Sequence, residues 1–570
     1  MTETWSAVPE VTIDSSEPDA ALRRNLAEVD VDERLGVPTS VRVVLRDADR
    51  DLLTATGLTI GAGLAVRAGP VGAPAGELLA EVEVVALEVA YSDTESTVTV
   101  VGYDVSHRLH RFRRTRSFQD VTDGDVLRSV AQEVGLDVGT VDDPGVVHAH
   151  LAQVDSTDWD FLASRAREGG RVLRVRGSRL DLVAHEQASS APSPGTLAST
   201  EPAQLVLGRD VEALRARVTS AEVPAEVEVR GWSVQTKEVF VATASVAAPG
   251  TEIGVAPGEL AGRVGAPVLV VADRAISSQE EADAVARAFG DAAGSTFATA
   301  RAVCSGDPRL RAGSAVSLGL AGDLVSGRWT VTAAQHHFDA VRGYRTTVDL
   351  GGLPGSGTGA AGPPHGNGRA RGGVGGVVPA VVTDIDDDEA LARVRVSLPW
   401  LSEGYVSDWA RVAQPGAGPD RGTLLLPEVE DEVLVAFERG DVRRPYVIGG
   451  LWNGQDRPPL EAGAVDRASG ESGRRGLVSR AGHRIVLDDA DPSGILVATG
   501  DDTVQVRLDD TTGDLGVKAD GAVQVTAGTV EVSARSITLT GDAEVTVSAP
   551  NITVEADGTL TLRGGVVRIN

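Results

Sequence analysis

From Leu515 onward the chain repeats itself. Apolar residues come in pairs at i and i+2: Leu515/Val517, Val523/Val525, Val530/Val532, Ile537/Leu539, Val545/Val547, Ile552/Val554, Leu560/Leu562 and Val567/Ile569. Successive pairs lie 8, 7, 7, 8, 7, 8 and 7 residues apart. Gly521, Gly528, Ala534, Gly541, Ala549, Gly558 and Gly564 fill the gaps. This is a short-period β repeat. In a strand, residues i and i+2 share a face, so each pair points one way and Thr, Ser, Glu, Asp or Gln the other. One strand per seven or eight residues leaves too little chain to fold back over its own apolar face, and a lone copy would leave strand edges open. The economical solution is three identical chains wound together as an intertwined trimeric β-helix. The pairs from Val523/Val525 to Val567/Ile569 then meet on the axis as its core. Eight strands at about 4.8 Å each make a rod of roughly 40 Å. The alternative is an open β-meander, which would need a covering domain, and the repeat runs to Asn570.

Upstream, the pattern is mixed. Val41–Leu45, Glu81–Val89, Ser96–Val101, Val316–Leu318, Trp329–Ala333 and Arg345–Leu350 are short β-branched runs that predict strands. Asp123–Val134 predicts a helix, with Val126, Leu127, Val130, Ala131 and Val134 on one face and Gly135 as the stop. Asp158–Glu168 predicts a second helix. Ser278–Phe289 predicts a third, opened by the boxes Ser277/Glu280 and Ser278/Glu281. This half reads as α+β with two β-rich lobes.

Gly and Pro dominate 351–377, which reads as a flexible linker. Beyond it helical patterns vanish. Pro379–Ile385, Ala392–Ser397, Trp409–Ala413, Thr423–Leu426, Glu432–Phe437 and Tyr446–Leu451 are strand-length runs with turn signals between them, suited to a small closed barrel such as an OB-fold. The expected organisation is therefore 1–350, linker 351–377, barrel 378–455, a polar connector 456–476 and the β-helical spike 477–570.

Composition narrows the chemistry. The 570 residues carry a formal net charge of −29, which argues against broad phosphate-backbone binding. Cys304 is the single cysteine, so no internal disulfide forms. No run of about 18 apolar residues offers a transmembrane helix. The acidic start, with Glu3, Glu10 and Asp14, does not read as a secretory signal, so synthesis and assembly in the cytoplasm are expected.

The stretch Trp409–Gly454 resembles the barrel domain of VgrG proteins and of the hub–spike proteins of contractile injection systems. The matching elements are Trp409 with Arg411, Gly418 and Gly422, Pro427, Asp431-Glu432-Val433, Phe437, Gly440-Asp441, Pro445 and Gly449-Gly450. Where the family usually has Gly before Asp-Glu-Val, this chain has Glu430. The first half is similar to the hub part of the same family, through Gly102-Tyr103-Asp104, Asp160-Phe161-Leu162 with Arg165, Leu310 with Gly313, and Gly327 with Trp329, Val331 and His336. The resemblance implies a mainly β molecule with some α. Two β-barrel-like hub lobes would form a trimeric ring that mates with a hexameric inner tube and baseplate, an OB-fold would act as collar, and the tail as needle. Arg568, Ile569 and Asn570 would meet a PAAR-type tip protein. Effector cargo would travel with it, the target membrane would be touched only on puncture, and the particle would be released from the cell like a phage tail. A type VI secretion spike is the alternative. Gly454–Val478 is too short for a lysozyme-like domain and the repeat ends the chain, so no enzyme, cofactor or metal is expected.

Other candidate chemistry reads as structural. His107 and His110 lie in a run with five arginines, expected to be a structural or subunit-facing basic strand. The rings of His336 and His337 point to opposite faces of a strand, which favours packing over a shared metal. His148 and His150 share a face but lack further ligands. Cys304 reads as a buried filler. Asp386-Asp387-Asp388 and Asp488-Asp489 lack the spacing of a calcium loop. Trp400, Trp409, Tyr446 and Trp452 with Arg439, Arg443 and Arg444 would suit single-strand stacking, but Glu428, Glu430, Asp431 and Glu432 would repel phosphates. A short oligonucleotide titrated onto the pure protein at physiological ionic strength should therefore give no binding signal.

Overall fold

In the computed structural model, every residue is described except 1–4, 15–19, 71–75, 94, 144, 195–202, 234–235, 273–274, 277, 353–374, 403, 461–464, 467 and 570. Most of the expected linker, Ser277 with its capping box, and Asn570 thus lie outside the described residues. The chain divides into two compact units, Met1–Asn453 and Gly454–Asn570.

In the first unit the alternating strands bury every second residue. Ser40–Arg46, for example, buries Val41, Val43 and Leu45 and turns Arg42 outward. Most hub strands join in one 13-stranded sheet, with two three-stranded sheets and a two-stranded one beside it. The main path of the large sheet runs Glu10–Ile13, Gly63–Ala68, Glu77–Tyr91, Ser96–Tyr103, Ser40–Arg46, Leu26–Arg34, Gly327–Asp339, Gly343–Gly351, Ala298–Ser305, Val211–Val218. The two expected lobes are its two cores, one around Val29, Val43, Leu64 and Val100, the other around Phe297, Leu318, Trp329 and Val348. Gly327–Asp339 is longer than the expected Trp329–Ala333 because it serves both: Trp329 and Val331 sit in the second core and Phe338 in the first.

The predicted helices form. Asp123–Val134 opens on a capping box between Thr122 and Asp125 and ends at Gly135 with φ +74°. Asp158–Glu168 is capped by Thr157. These two helices share a third core with Leu151, Leu173 and Leu180. The third helix opens at Ser278, whose hydroxyl accepts from the Glu281 amide, but it runs on to Ser295 instead of stopping at Phe289. Gly290 and Gly294 are contact points, not stops. A Cβ at Gly290 would lie 2.7 Å from the Ser245 carbonyl oxygen, and one at Gly294 still closer to that of Ala247.

The second half of this unit carries a closed five-stranded barrel of Val377–Asp384, Arg393–Ser397, Ala410–Val412, Pro445–Gly450 and Glu432–Phe437, in that order around the ring. Val382, Val394, Val396, Tyr405, Val433 and Val435 fill it. The expected strand Thr423–Leu426 does not form. A two-residue hairpin, Ala417–Gly418 with Arg421–Gly422, precedes it, and Leu425 is pinned by two hydrogen bonds to the Gln414 side chain (3.1 and 3.2 Å). Leu424 and Leu425 stay exposed, so the alternation finds no partner strand among the described residues.

The second unit opens with a five-stranded antiparallel meander, Arg474–Val478, Arg484–Asp488, Gly494–Ala498, Val504–Asp509 and Asp514–Ala519, each strand paired to the next. The first apolar pair, Leu515/Val517, belongs to this meander and not to the unpaired repeat. From Gly521 to Ile569 no strand forms, and every residue is exposed.

Glu430 adopts φ +79°. Its amide donates to the Val382 carbonyl, and the Asp431 amide donates to that of Glu428, closing a tight turn whose third residue prefers glycine. The left-handed backbone is thus kept although the glycine is not. Glu430→Gly should stabilise the barrel by about 0.5–1 kcal/mol, read as a higher midpoint in urea unfolding.

Candidate functional site: an uncovered apolar ladder

The meander has two unlike faces. On one, Arg474 pairs with Asp488 (2.5 Å), Arg507 with Asp509 (3.4 Å) and Arg484 with Asp502. The cavity of about 250 Å³ on this side is lined by these same arginines with Leu460, Val486 and Leu496, so its cations are already matched. The other face is apolar. Register sets Leu477 opposite Ile485, Leu487 opposite Ile495, Val497 opposite Val506 and Leu508 opposite Leu515, and all of them are exposed. The paired positions enumerated from Leu515 onward thus extend upstream, through the i, i+2 alternation of Ile485/Leu487 and Ile495/Val497, to Leu477, where the expected spike segment starts.

Beyond the meander the paired apolar positions continue along the chain. The fourteen residues Val523, Val525, Val530, Val532, Ile537, Leu539, Val545, Val547, Ile552, Val554, Leu560, Leu562, Val567 and Ile569 are between 51% and 83% exposed in the single chain. Fully burying a Val, Leu or Ile stabilises by about 1.5–3 kcal/mol. The ladder therefore holds on the order of 20 kcal/mol of unused burial per chain. Among the described backbone hydrogen bonds outside helices and strands, none involves a residue after Asp520. Arg568 and Ile569, at the expected tip contact, are exposed; Asn570 lies outside the described residues.

The barrel motif residues are dispersed and build turns. The Asp431 carboxylate accepts from the Glu428 amide (2.8 Å), and Glu432 accepts from the Asn453 side chain (2.9 Å). Gly440 takes φ +82° in the loop between Phe437 and Pro445, which face each other across the ladder. Asp441 accepts from both the amide and the guanidinium of Arg443 (3.0 and 2.8 Å). Burial opposes the charge of Asp441, but Arg443 holds its carboxyl below the usual range. Pro427 is half-buried, and Gly450 is exposed at the end of its strand. Three of the four barrel aromatics have partners, and Trp452 is exposed. Trp409 has the Arg395 and Arg393 guanidinium groups over its ring (4.7 and 5.8 Å), Arg411 lies over Tyr446 (5.6 Å), and the Trp400 indole donates to the Pro379 carbonyl (2.9 Å).

The basic run is neutralised within the hub. Arg108 and Arg111 reach Glu83, Arg113 reaches Asp155, and Arg114 and Arg116 share Glu133 and Asp158. His107 Nδ1–H donates to the Asp104 carbonyl, and half-buried His110 stacks on Trp159 (5.1 Å). His148 meets Asp123 and Arg165. Cys304 is buried, and burial pushes its thiol up to about 12. Asp387 caps its own turn by accepting from the Leu391 amide and the Arg393 guanidinium, while Asp489 pairs with Arg475.

His336 and His337 face opposite ways, as strand geometry requires. His336 is buried against Tyr344 (2.9 Å) and held neutral by burial. His337 stands directly across from Asp30 on the seam between Leu26–Arg34 and Gly327–Asp339, the ladder that joins the two hub lobes. Its Nδ1 lies 2.6 Å from Asp30 and its Nε2 2.8 Å from Asp339. Glu28, Asp30 and His337 are close enough to hold a cation, but Arg42 (3.1 Å from Glu28) and the imidazolium already balance the carboxylates.

Two family models match parts of the chain, each covering less than half of it. One is the type VI secretion system/phage-baseplate injector OB domain, over residues 378–452, the closed barrel described above. The other is the Alg8 N-terminal domain, over 83–340. The closed barrel is thus matched to an injector OB domain. Over 71 residues the chain is 39% identical to the type VI secretion system spike protein VgrG2a of Pseudomonas aeruginosa, covering 12% of this chain and 8% of the relative. It is 29% identical over 168 residues to the actin cross-linking toxin VgrG1 of Vibrio cholerae, covering 27% and 15%. The chain thus spans only a small part of the length of the curated relatives it matches. A chain of a Francisella PdpA–VgrG complex in its lidded form has a TM-score of 0.54 at 8% identity, covering 90% of this chain and 80% of that one, a likeness of fold alone.

Burial works against the charge on His337, but Asp30 and Asp339 overcome it and raise its pKa above 6.5. Its stabilising effect is therefore complete below pH 6.5 and lost as pH rises through the folded-state value. The stability gap between the parent and His337→Gln in urea unfolding should be widest at pH 6 and narrow as pH rises toward 8.5.

Proposed function

We propose that this protein is the structural hub and membrane-puncturing spike of a contractile injection system, acting as a homotrimer. The observation that carries this reading is the apolar ladder from Leu477 to Ile569, exposed along its whole length in one chain. Two further copies would cover it and supply the missing strand partners. The result is a stiff rod, and stiffness is the working property: thrust from a contracting sheath would pass through hub and barrel into the rod without bending it. The hub would join the inner tube and baseplate, and Arg568, Ile569 and Asn570 would seat a PAAR-type tip. Effector cargo would ride with the assembly.

We favour a phage-tail-like particle assembled in the cytoplasm and then released. A type VI spike is the second reading, and it is favoured by one observation: the Pseudomonas relative that is 39% identical over 71 residues is a type VI spike protein. We read the chain as non-enzymatic. The matched part of the Vibrio toxin is 15% of that protein, so its cross-linking activity does not transfer by similarity. Neutralisation of the basic run and the arginines stacked on Trp409 and Tyr446 support a set of partners without nucleic acid, the target membrane being touched only on puncture.

Sedimentation of the purified chain should give a species near three times the 58.9 kDa chain mass. A stable monomer would overturn the reading. Val547→Asp with Ile552→Asp should shift the species toward monomer while leaving far-ultraviolet signatures of the hub intact. Clearing of peptidoglycan by the pure protein in a zymogram would overturn the non-enzymatic reading.

A further inference from the structure

The barrel has a second attachment to the hub besides its covalent linker. Hub strand His148–Thr157 runs against it, and Val154 lies within the barrel's own core cluster, with Ala152 packed on the same cluster. His150 is 5% exposed in this seat. Its Nε2 is 3.1 Å from the Val406 carbonyl oxygen, and its ring stands edge-on to Tyr405 at 5.7 Å and 88°. The Nδ1 of His150 is buried and has no hydrogen-bond partner. A neutral ring suits this geometry: Nε2–H donates to Val406 and Nδ1 keeps a bare lone pair. An imidazolium would place an N–H without an acceptor in a dry seat.

The charges around the ring come from several elements. Asp408, Asp441 and Arg443 lie on the barrel side, and they act on His150 in opposite senses. Arg443 also senses Glu168 and Glu281, on the hub helices Asp158–Glu168 and Gln279–Ser295. On the strand of His150 itself, His148 pairs with Asp123 and Arg165. Across the ladder stands uncharged Gln119.

We propose that this seat is a proton-released latch between hub and barrel: closed when His150 is neutral, opened when it is protonated, with the Gly/Pro-rich linker as a tether that keeps the spike attached once the latch opens. Burial in the seat disfavours the imidazolium and outweighs Asp408 and Asp441, so the docked ring protonates below 6.5. Docking is therefore strongest above pH 6.5 and weakens as pH falls below it. The latch does not depend on the number of copies in the assembly.

The test uses the full chain with a specific protease site placed within 353–374. After nicking, hub and barrel–spike fragments are separated by size at pH 7.5 and at pH 5.5. The parent fragments should co-elute at pH 7.5 and part at pH 5.5. His150→Gln keeps a side-chain donor without a titratable ring and should co-elute at both. Val154→Asp should part at both. Parting of the parent at pH 7.5, retention at pH 5.5, or equal acid release in His150→Gln would overturn the latch. If Val154→Asp fails to fold, the His150→Gln comparison decides by itself. The mass of the intact chain, measured separately, reports on trimerisation, so failure of one reading does not mimic failure of the other.

Discussion

One constraint organises this molecule: a strand of seven or eight residues cannot shield its own apolar side. The ladder from Leu477 to Ile569 repeats that deficit many times over. Hydrophobic burial is roughly proportional to area and needs a surface to bury against. In a single copy that surface is missing, and so are strand partners for the segment beyond Asp520. An exposed, edge-open apolar strand invites association of some kind. Symmetry channels the same tendency into a closed, finite assembly.

The hub solves the opposite problem. It is strongly charged, and its arginines sit beside carboxylates. Glu83 serves Arg108 and Arg111, Glu133 and Asp158 serve Arg114 and Arg116, and Asp30 and Asp339 clamp His337 at the seam of the two lobes. Exposed pairs of this kind add little stability one by one. Their consequence here is negative: they remove free positive surface from a chain that otherwise shows a basic run. That leaves the ladder as the feature that calls for partners.

The helices were legible because their signals are local. Thr122, Thr157 and Ser278 cap, and Gly135 stops. Gly290 misleads for the same reason. A glycine in a helical pattern reads as a stop, yet here it lets the helix approach the Ser245 carbonyl, a contact far away in sequence. Thr423–Leu426 fails in the other direction: its alternation is that of a strand, but no neighbour among the described residues offers a ladder. The barrel motif was legible as a set of turns, and the turns are what Gly440, Asp441 and Asp431 build.

Sequence alone determined the repeat, its period and the sidedness of each strand, because these depend only on the two-residue periodicity of the extended chain. It also determined that the barrel would be small and closed. Tertiary structure decided what depends on distant pairing: that the two hub lobes share one sheet through Gly327–Asp339, that the basic run is neutralised, that the upper part of the ladder pairs as a five-stranded meander, and that His150 and Val154 seat the barrel. Each of these joins residues tens to hundreds of positions apart, and no local pattern encodes which of the many acids, carbonyls and strand edges in the chain will be the one nearby.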